Sequence, residues 1–387
     1  MPVSKMLNVV ICDATSGPEV TATRGTNSSQ MMRSTTKTRS EGEGPWFWPR
    51  YARWVVSLVI AVLVIWAFAL LLVKGHQSLG SALEIGSDEH YEVTKALLWV
   101  RGLSLYANVW SDQPPLYTVL LGSCFRYFGE SIGIARTVAA AFALLLLVIC
   151  GLLAKHRGGS LAGVFAILCL LLTPHFLGLG VSAMLEMPAI TLSLAACWPL
   201  FHWQRNYRWY YVAFSGVLIA VALQFKLTAV VSIPALLVET IVGAKARVSV
   251  SGHGRVLVLQ SVAIWIGATL CTYAVLAILF GIVPAEVLWA CHFSAAMRQH
   301  VRCESVVSFL RALWLDHFDG LLLVVAAFIV LTVLKDWEQV RFPTIWLLTA
   351  VLIHLYHCPW WPYYYLHFAV PLAWLSGYGI AEVLRVA

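Results

Sequence analysis

The chain has 387 residues, of which 60% are hydrophobic and only 12% charged, and its mean hydropathy is +0.79. Soluble domains carry about 25% charged residues, so this chain lacks the polar surface to dissolve and reads as an all-α polytopic membrane protein. Its formal net charge of +7 does not point to nucleic acid, because the basic residues collect in short loops between apolar runs, where they fix orientation.

Residues 1–50 are polar and rich in Ser, Thr and Gly, with Lys5, Arg24, Arg33, Lys37, Arg39 and Arg50 among them. Such a stretch cannot bury a core and is expected to be a disordered cytoplasmic tail. It is not a signal peptide, since the first apolar run starts too late and runs too long for an h-region. That run, Trp54–Val73, has 20 residues and covers about 30 Å as a helix, the thickness of the hydrocarbon layer.

A charged stretch follows, Gly86–Tyr117, holding Asp88, Glu89, Glu92, Lys95, Arg101 and Asp112 ahead of Pro114 and Pro115. Within it, Tyr91–Leu105 is expected to form an amphipathic helix lying among the headgroups. The next apolar piece, Pro114–Phe128, is short. Longer runs occupy roughly 133–154, 160–180, 187–203, 209–225, 228–243, 256–282, 318–334, 342–357 and 363–384.

The short piece decides the topology. If Pro114–Phe128 does not span, the clusters Lys155/Arg157, Arg205/Arg208, Lys245/Arg247/Arg255, Lys335/Arg341 and Arg385 all fall inside. If it spans, all of them move outside, against the positive-inside rule. The expectation is therefore about ten spans with both termini cytoplasmic. One transmembrane domain covers 51–387, and its first loop, 75–132, lies on the outer face with juxtamembrane and short re-entrant or interfacial helices. The same assignment places the Glu186 turn, the Val283–His317 loop, the His357–Tyr365 turn and Lys226 on that outer face, with Lys226–Leu227 at a hairpin tip.

The nine cysteines show no CxxC and no metal-ligand spacing. Cys124, Cys150, Cys169, Cys197 and Cys271 lie in apolar runs and read as buried thiols. No Walker A, GxGxxG, HExxH or GxSxG pattern occurs, which argues against nucleotide and soluble-cofactor chemistry.

The chemistry candidates lie on the outer face. Asp88 and Glu89 are adjacent acids just beyond a span. They read as a solvated loop end, as a general base for a hydroxyl, or as ligands for a divalent cation beside a phosphate. Glu186 is an ionisable group at a span boundary. Lys226 either snorkels or meets a lipid-linked phosphate. Arg298, Arg302, His292 and His300 are solvated, or one arginine grips phosphate through its planar fork. In HCPWWPYYYLHF, Trp360, Trp361 and Tyr363–Tyr365 suit an aromatic belt, while Tyr364 and His367 suit a cavity wall.

The run SDEHYEVTKALLWVRGLSLYANVWSDQPPLYTVLLGSCFRYFGESIGIARTVAA resembles the start of the GT-C glycosyltransferases, near the protein O-mannosyltransferases, the lipid A aminoarabinose transferases and the bacterial Rgt-type sugar transferases. The resemblance is carried by Asp88-Glu89, Tyr91, Gly102 to Tyr106, Pro114-Pro115-Leu116, Phe128-Gly129 and Arg136. It is carried more weakly by Glu186 with Pro188, by the helix ending FKLTA, and by the YYYLHFAVPLAWLSGYGI close.

It implies transfer of a sugar, with inversion, from a polyprenyl-phosphate donor to a lipid, glycan or protein acceptor hydroxyl on the outer face of a bacterial inner membrane. In that scheme Asp88 is the base, Glu186 the second acid, and Glu89 an assistant or metal ligand. Tyr91, Gln113, Lys226, Arg298, Tyr364 and His367 are the expected substrate contacts. One departure is visible. The aminoarabinose branch carries a Lys before the Pro pair, and here that position is Gln113. The chain also closes just after its last predicted span, where many members continue. The competing reading is a multi-pass transporter or flippase. It expects inverted repeats and polar groups at the midplane, whereas the polar residues here gather at one face.

Overall fold

The computed structural model describes residues 62–64, 66, 69, 87–173, 176–251, 254–292, 310–311, 314, 324–325, 337–357 and 361–386. The predicted tail, most of the predicted span Trp54–Val73, nearly all of 318–334, and Arg298 lie outside these residues. Among the described residues the regular elements are helices and 3-10 turns, and no strand forms. The chain has the all-α architecture of a polytopic membrane protein.

Helix α1, Ser87–Val100, carries Asp88 and Glu89 in its first turn, where carboxylates meet the positive end of the helix dipole. The expected helix was Tyr91–Leu105, so the real one starts and stops earlier. It stops because Gly102 takes φ +87, a conformation that a β-carbon disfavours. Nor does it lie on the surface as an amphipathic helix: Glu89, Glu92 and Lys95 are buried, and its main packing partner is α2, Leu116–Phe128. With 13 residues, α2 is about 20 Å long, too short to cross a hydrocarbon core of about 30 Å.

Helix α3, Ile132–Leu172, is continuous in hydrogen bonding but broken at Gly159, where φ is +80 and ψ 177. The two legs fold back on each other. A β-carbon on Gly163 would lie 2.7 Å from the Gly151 carbonyl oxygen, so glycine permits the close approach. This hairpin corresponds to the separate runs 133–154 and 160–180. The second leg ends early, at Leu172, because Thr173 is extended ahead of Pro174, as the residue before a proline avoids the helical region.

A short helix α4, Phe176–Val181, leads to α5, Glu186–Ala195, and α6, Cys197–Asn206, which together make the predicted run 187–203. Helix α7, Trp209–Phe225, ends at Lys226. A 3-10 turn over Leu227–Ser232 then opens α8, Ile233–Ser251. Lys226 is therefore not an exposed hairpin tip; only 5% of it is exposed. Helix α9, Gly254–Phe280, packs on α7, and Cys271 on it is exposed rather than buried. After α10, Ala285–His292, the described chain resumes with α11, Arg341–Tyr356, a 3-10 turn over Pro362–Tyr365, and α12, Leu366–Val386. Helix α12 runs along α3, the most extensive packing in the bundle.

By length and composition, Ile132–Leu172, Leu227–Arg247 and Val256–Phe280 are long and apolar enough to cross a membrane, and Trp209–Phe225 and Arg341–Leu355 are shorter apolar helices. The loops that charge placement assigns to one side do gather. Arg341 donates to Glu239 through Nε and Nη2 at 2.9 and 2.8 Å, Gln204 Nε2 donates at 2.7 Å, and Arg157 Nη2 at 3.4 Å. Arg385 donates to the Gly158 carbonyl, and Arg247 to the Tyr207 carbonyl at 3.3 Å. Glu239, with no exposed surface, thus pins four helices at this end.

Candidate active site

The opposite polar cluster starts on α1. Asp88, Glu92 and Lys95 recur at i, i+4 and i+7, which puts them on one helix face. The Lys95 ammonium donates to Glu92 Oε1 at 2.7 Å and to Ser111 Oγ at 3.3 Å. The Ser111 and Tyr106 hydroxyls both donate to the Gln113 carbonyl, at 3.1 and 2.9 Å. These contacts tie the loop after α1 to its polar face. Burial raises the Glu92 carboxyl above the usual range, with Lys95 pulling it back, and its Oε2 has no hydrogen-bond partner.

Lys226 enters from α7. Its backbone is extended, at φ −155 and ψ 135, and this break turns the side chain into the bundle. The ammonium pairs with Glu186 Oε1 and lies 4.3 Å from the ring centroid of Tyr363 and 5.6 Å from that of Tyr364. Burial holds Lys226 down to about 8, against the opposing pull of the Asp88, Glu92 and Asp112 carboxylates. Glu186 opens α5 with 1% of its surface exposed, and its Oε2 has no hydrogen-bond partner.

Glu89 faces elsewhere. Arg136 donates to its two oxygens at 2.9 and 3.4 Å, and the Ala183 N–H donates to Oε1 at 3.1 Å. Both side chains are almost wholly buried. This pair ties α1 to α3 and to the segment before α5. Its geometry is that of a structural clamp and departs from the expected role beside Asp88. Among the described residues no group of three His, Cys, Asp or Glu side chains is arranged to hold a metal.

The other expected contacts are spread around the cluster. Tyr91 is on the rim, edge-on to Trp110 at 5.9 Å with the Lys95 ammonium 5.0 Å from its ring. Gln113 is buried. Its Nε2 donates to Asp112 Oδ2 at 3.1 Å and lies 3.4 Å from His292 Nε2. His367 sits behind Tyr364, with its ring 5.3 Å from that of His354 and 6.3 Å from that of Tyr364. The structure therefore unites Glu186, Lys226 and Tyr364, with the Asp88 carboxylate near enough to favour the charged form of Lys226 and with Tyr91, Gln113 and His367 at the margins. Arg298 lies outside the described residues.

Sequence reasoning gave Glu92, Lys95 and Asp112 no role, although the Asp88–Glu92–Lys95 spacing is a helical-face signal. Tyr363 was hidden in an aromatic run. Chemically, the cluster offers a half-buried carboxylate, Asp88, close to a buried cation, with unpaired carboxylate oxygens beside both.

The sequence profile of the dolichyl-phosphate-mannose-protein mannosyltransferases matches residues 112–280. No curated protein matches the chain. Among solved structures, ArnT from Cupriavidus metallidurans bound to undecaprenyl phosphate is 16% identical with a TM-score of 0.59, covering 83% of this chain and 60% of ArnT. The apo state of the same protein is 18% identical with a TM-score of 0.60, covering 85% and 60%. The Archaeoglobus fulgidus oligosaccharyltransferase, in complex with zinc and sulfate, is 11% identical with a TM-score of 0.52, covering 85% and 49%. The chain thus spans about three-fifths of the length of the ArnT structures it matches. The chain thus has the fold of the ArnT structures, and its residues 112–280 are similar to the dolichyl-phosphate-mannose-protein mannosyltransferases.

Proposed function

We propose that the chain is an integral-membrane glycosyltransferase that moves a sugar from a polyprenyl-phosphate donor to an acceptor hydroxyl at the Asp88 end of the bundle, on the extracytoplasmic face. One observation carries this reading: the buried ammonium of Lys226 is paired with Glu186 from a separate helix and is favoured in its charged form by the Asp88 carboxylate. The undecaprenyl phosphate bound by ArnT supports the donor class.

In this scheme the Asp88 carboxylate takes the proton of the acceptor hydroxyl. The acceptor oxygen forms a bond to the anomeric carbon, and the bond from that carbon to the phosphate oxygen breaks. The lipid phosphate departs with the electron pair. Lys226 neutralises the departing phosphate in a site where water is sparse and such a charge counts for more than in solution. Glu186 holds Lys226 in place until the phosphate arrives. Tyr364 and His367 pack on the side of Lys226 away from the loop, Gln113 and Tyr91 lie on the loop side, and Arg298 is a candidate second phosphate ligand. A divalent cation would be held through Asp88, because Glu89 is committed to Arg136.

The test is sugar transfer in proteoliposomes from polyprenyl-phosphate donors. Asp88→Asn keeps the shape of the side chain and removes the base, and is expected to lower turnover by about 10²–10⁴-fold with unfolding temperature unchanged. Unchanged transfer in that variant would remove Asp88 from the mechanism.

A further inference from the structure

We infer that Glu92 is a specificity-determining residue: its second carboxylate oxygen accepts a hydrogen bond from a hydroxyl of the donor's sugar. The inference rests on the glycosyl transfer proposed above. Glu92 follows Asp88 by one turn of α1, so the two side chains leave the same face of the helix, with β-carbons about 5–6 Å apart. Asp88 is half-buried, whereas Glu92 is 3% exposed. A sugar whose anomeric carbon reacts beside Asp88 carries its other hydroxyls along that face, from the base toward Glu92.

A hydrogen-bonded network holds the carboxylate. The Lys95 ammonium donates to Glu92 Oε1 at 2.7 Å and to Ser111 Oγ at 3.3 Å. The Ser111 hydroxyl donates to the Gln113 carbonyl at 3.1 Å, and the Gln113 N–H donates back to Ser111 Oγ at 3.3 Å. Lys95 and Ser111 are as buried as Glu92. The network ties α1 to the loop that leads into α2, so Glu92 has little freedom to swing away. Its Oε2 takes no hydrogen bond from any described residue, and neither does Oε1 of Gln113, itself buried. Both ends of the network thus present a buried acceptor.

The chemistry of those two atoms selects the ligand. Acceptors suit a group that brings a hydrogen. The phosphate diester of the donor brings only acceptors, and its polyprenyl tail brings neither. A sugar hydroxyl donates, and its bond to a charged acceptor is stronger than one to a neutral group. Lys95 already balances the Glu92 charge, so a neutral hydroxyl completes the carboxylate without adding a charge. A sugar without that hydroxyl leaves the oxygen unpaired, and a site built around a polar contact discriminates strongly against such an analogue.

The probes are undecaprenyl phosphate and its mannose, glucose and galactose esters, the latter also with their hydroxyls removed one at a time. Binding to the full chain is measured in detergent, and transfer in proteoliposomes. For the parent, removing one particular hydroxyl is expected to weaken ester binding about 10- to 100-fold, the scale of a hydrogen bond to a charged group. Glu92→Gln removes the charge. Glu92→Leu combined with Lys95→Met removes the pair together, a change that buried ion pairs often tolerate. In both variants the intact ester is expected to bind about tenfold more weakly and the deoxy penalty to shrink, while undecaprenyl phosphate binds within about twofold of the parent, since a distant contact is unaffected.

A parent indifferent to every single deletion overturns the inference, and that series needs no variant to fold. An undiminished deoxy penalty in the variants also overturns it. A merely structural pair would lower their unfolding temperature and leave the penalty where the parent has it. If the parent transfers sugar from none of the esters, the proposed function fails and the inference with it. If it transfers sugar and hydroxyl deletion costs parent and variants alike, only the inference fails.

Discussion

Two buried carboxylates, Glu239 and Glu186, invite comparison: Lys226, the partner of Glu186, is separated from Glu239 by roughly 20 Å of helix, given a rise of about 2.0 Å per 3-10 residue and about 1.5 Å per α residue through the turn and α8. Their surroundings differ in kind. Glu239 accepts from Arg341, Gln204 and Arg157, and neither of its oxygens is left without a donor. Glu186 has one cationic partner and one oxygen with none. An acid with every lone pair engaged has nothing left to offer a ligand. An acid with an orphaned oxygen, beside a lysine, still has an acceptor to offer a ligand. The Glu239 end reads as a clamp and the Asp88 end as a site, and each variant below tests one side of that contrast.

The largest expected effect is at the clamp. Glu239→Ala strands Arg157 and Arg341 among buried neighbours, and should cost about 3–5 kcal/mol, as for a broken buried ion pair. Thermal unfolding in detergent measures the loss, while turnover per folded molecule should hold. An intermediate effect belongs to pH. Lys226 is held down to about 8 by burial, so its ammonium is lost as pH rises through that value. The kcat/KM for donor, which reports the free enzyme, should then fall up to tenfold per pH unit above about 8. The kcat limb should lie at higher pH, since bound phosphate favours the charged amine. A pH series with saturating and limiting donor separates the two. The smallest effect is at the surface. Arg101 and Glu130 pair at 3.3 Å but are largely exposed, so Arg101→Ala should change unfolding by less than about 1 kcal/mol and leave transfer untouched.

Much of this contrast was legible in the sequence. Charge placement grouped Arg157, Arg205, Arg247, Arg341 and Arg385 away from Asp88, Glu186 and Lys226, and the folded chain groups them the same way. The partition survives because basic loops and apolar runs act over whole segments. Local geometry was harder to see. Asp88 and Glu89 look like a pair in sequence, yet neighbours on a helix with 3.6 residues per turn point about 100° apart. Asp88 therefore points away from Arg136, which Glu89 engages. Lys226 looked like an exposed tip because an isolated lysine after an apolar run snorkels by default. Only the extended backbone at that residue and Glu186 behind it turn it inward. The tyrosines of PWWPYYY were ambiguous because a belt and a cavity wall draw on the same residues.

The most direct measurement pairs Glu89→Gln with Glu186→Gln and reads unfolding and sugar transfer on both. Glu89→Gln should lose about 3–5 kcal/mol of stability, since Arg136 is left buried without its counter-ion, and should keep its turnover at temperatures where it remains folded. Glu186→Gln should lose less stability, because Lys226 retains Asp88 and the Tyr363 ring, and should lose at least about tenfold in transfer, the loss that about 1.4 kcal/mol of transition-state stabilisation represents. A Glu186→Gln protein that unfolds yet transfers normally per folded molecule, or a stable Glu89→Gln protein without transfer, would contradict the division between clamp and site.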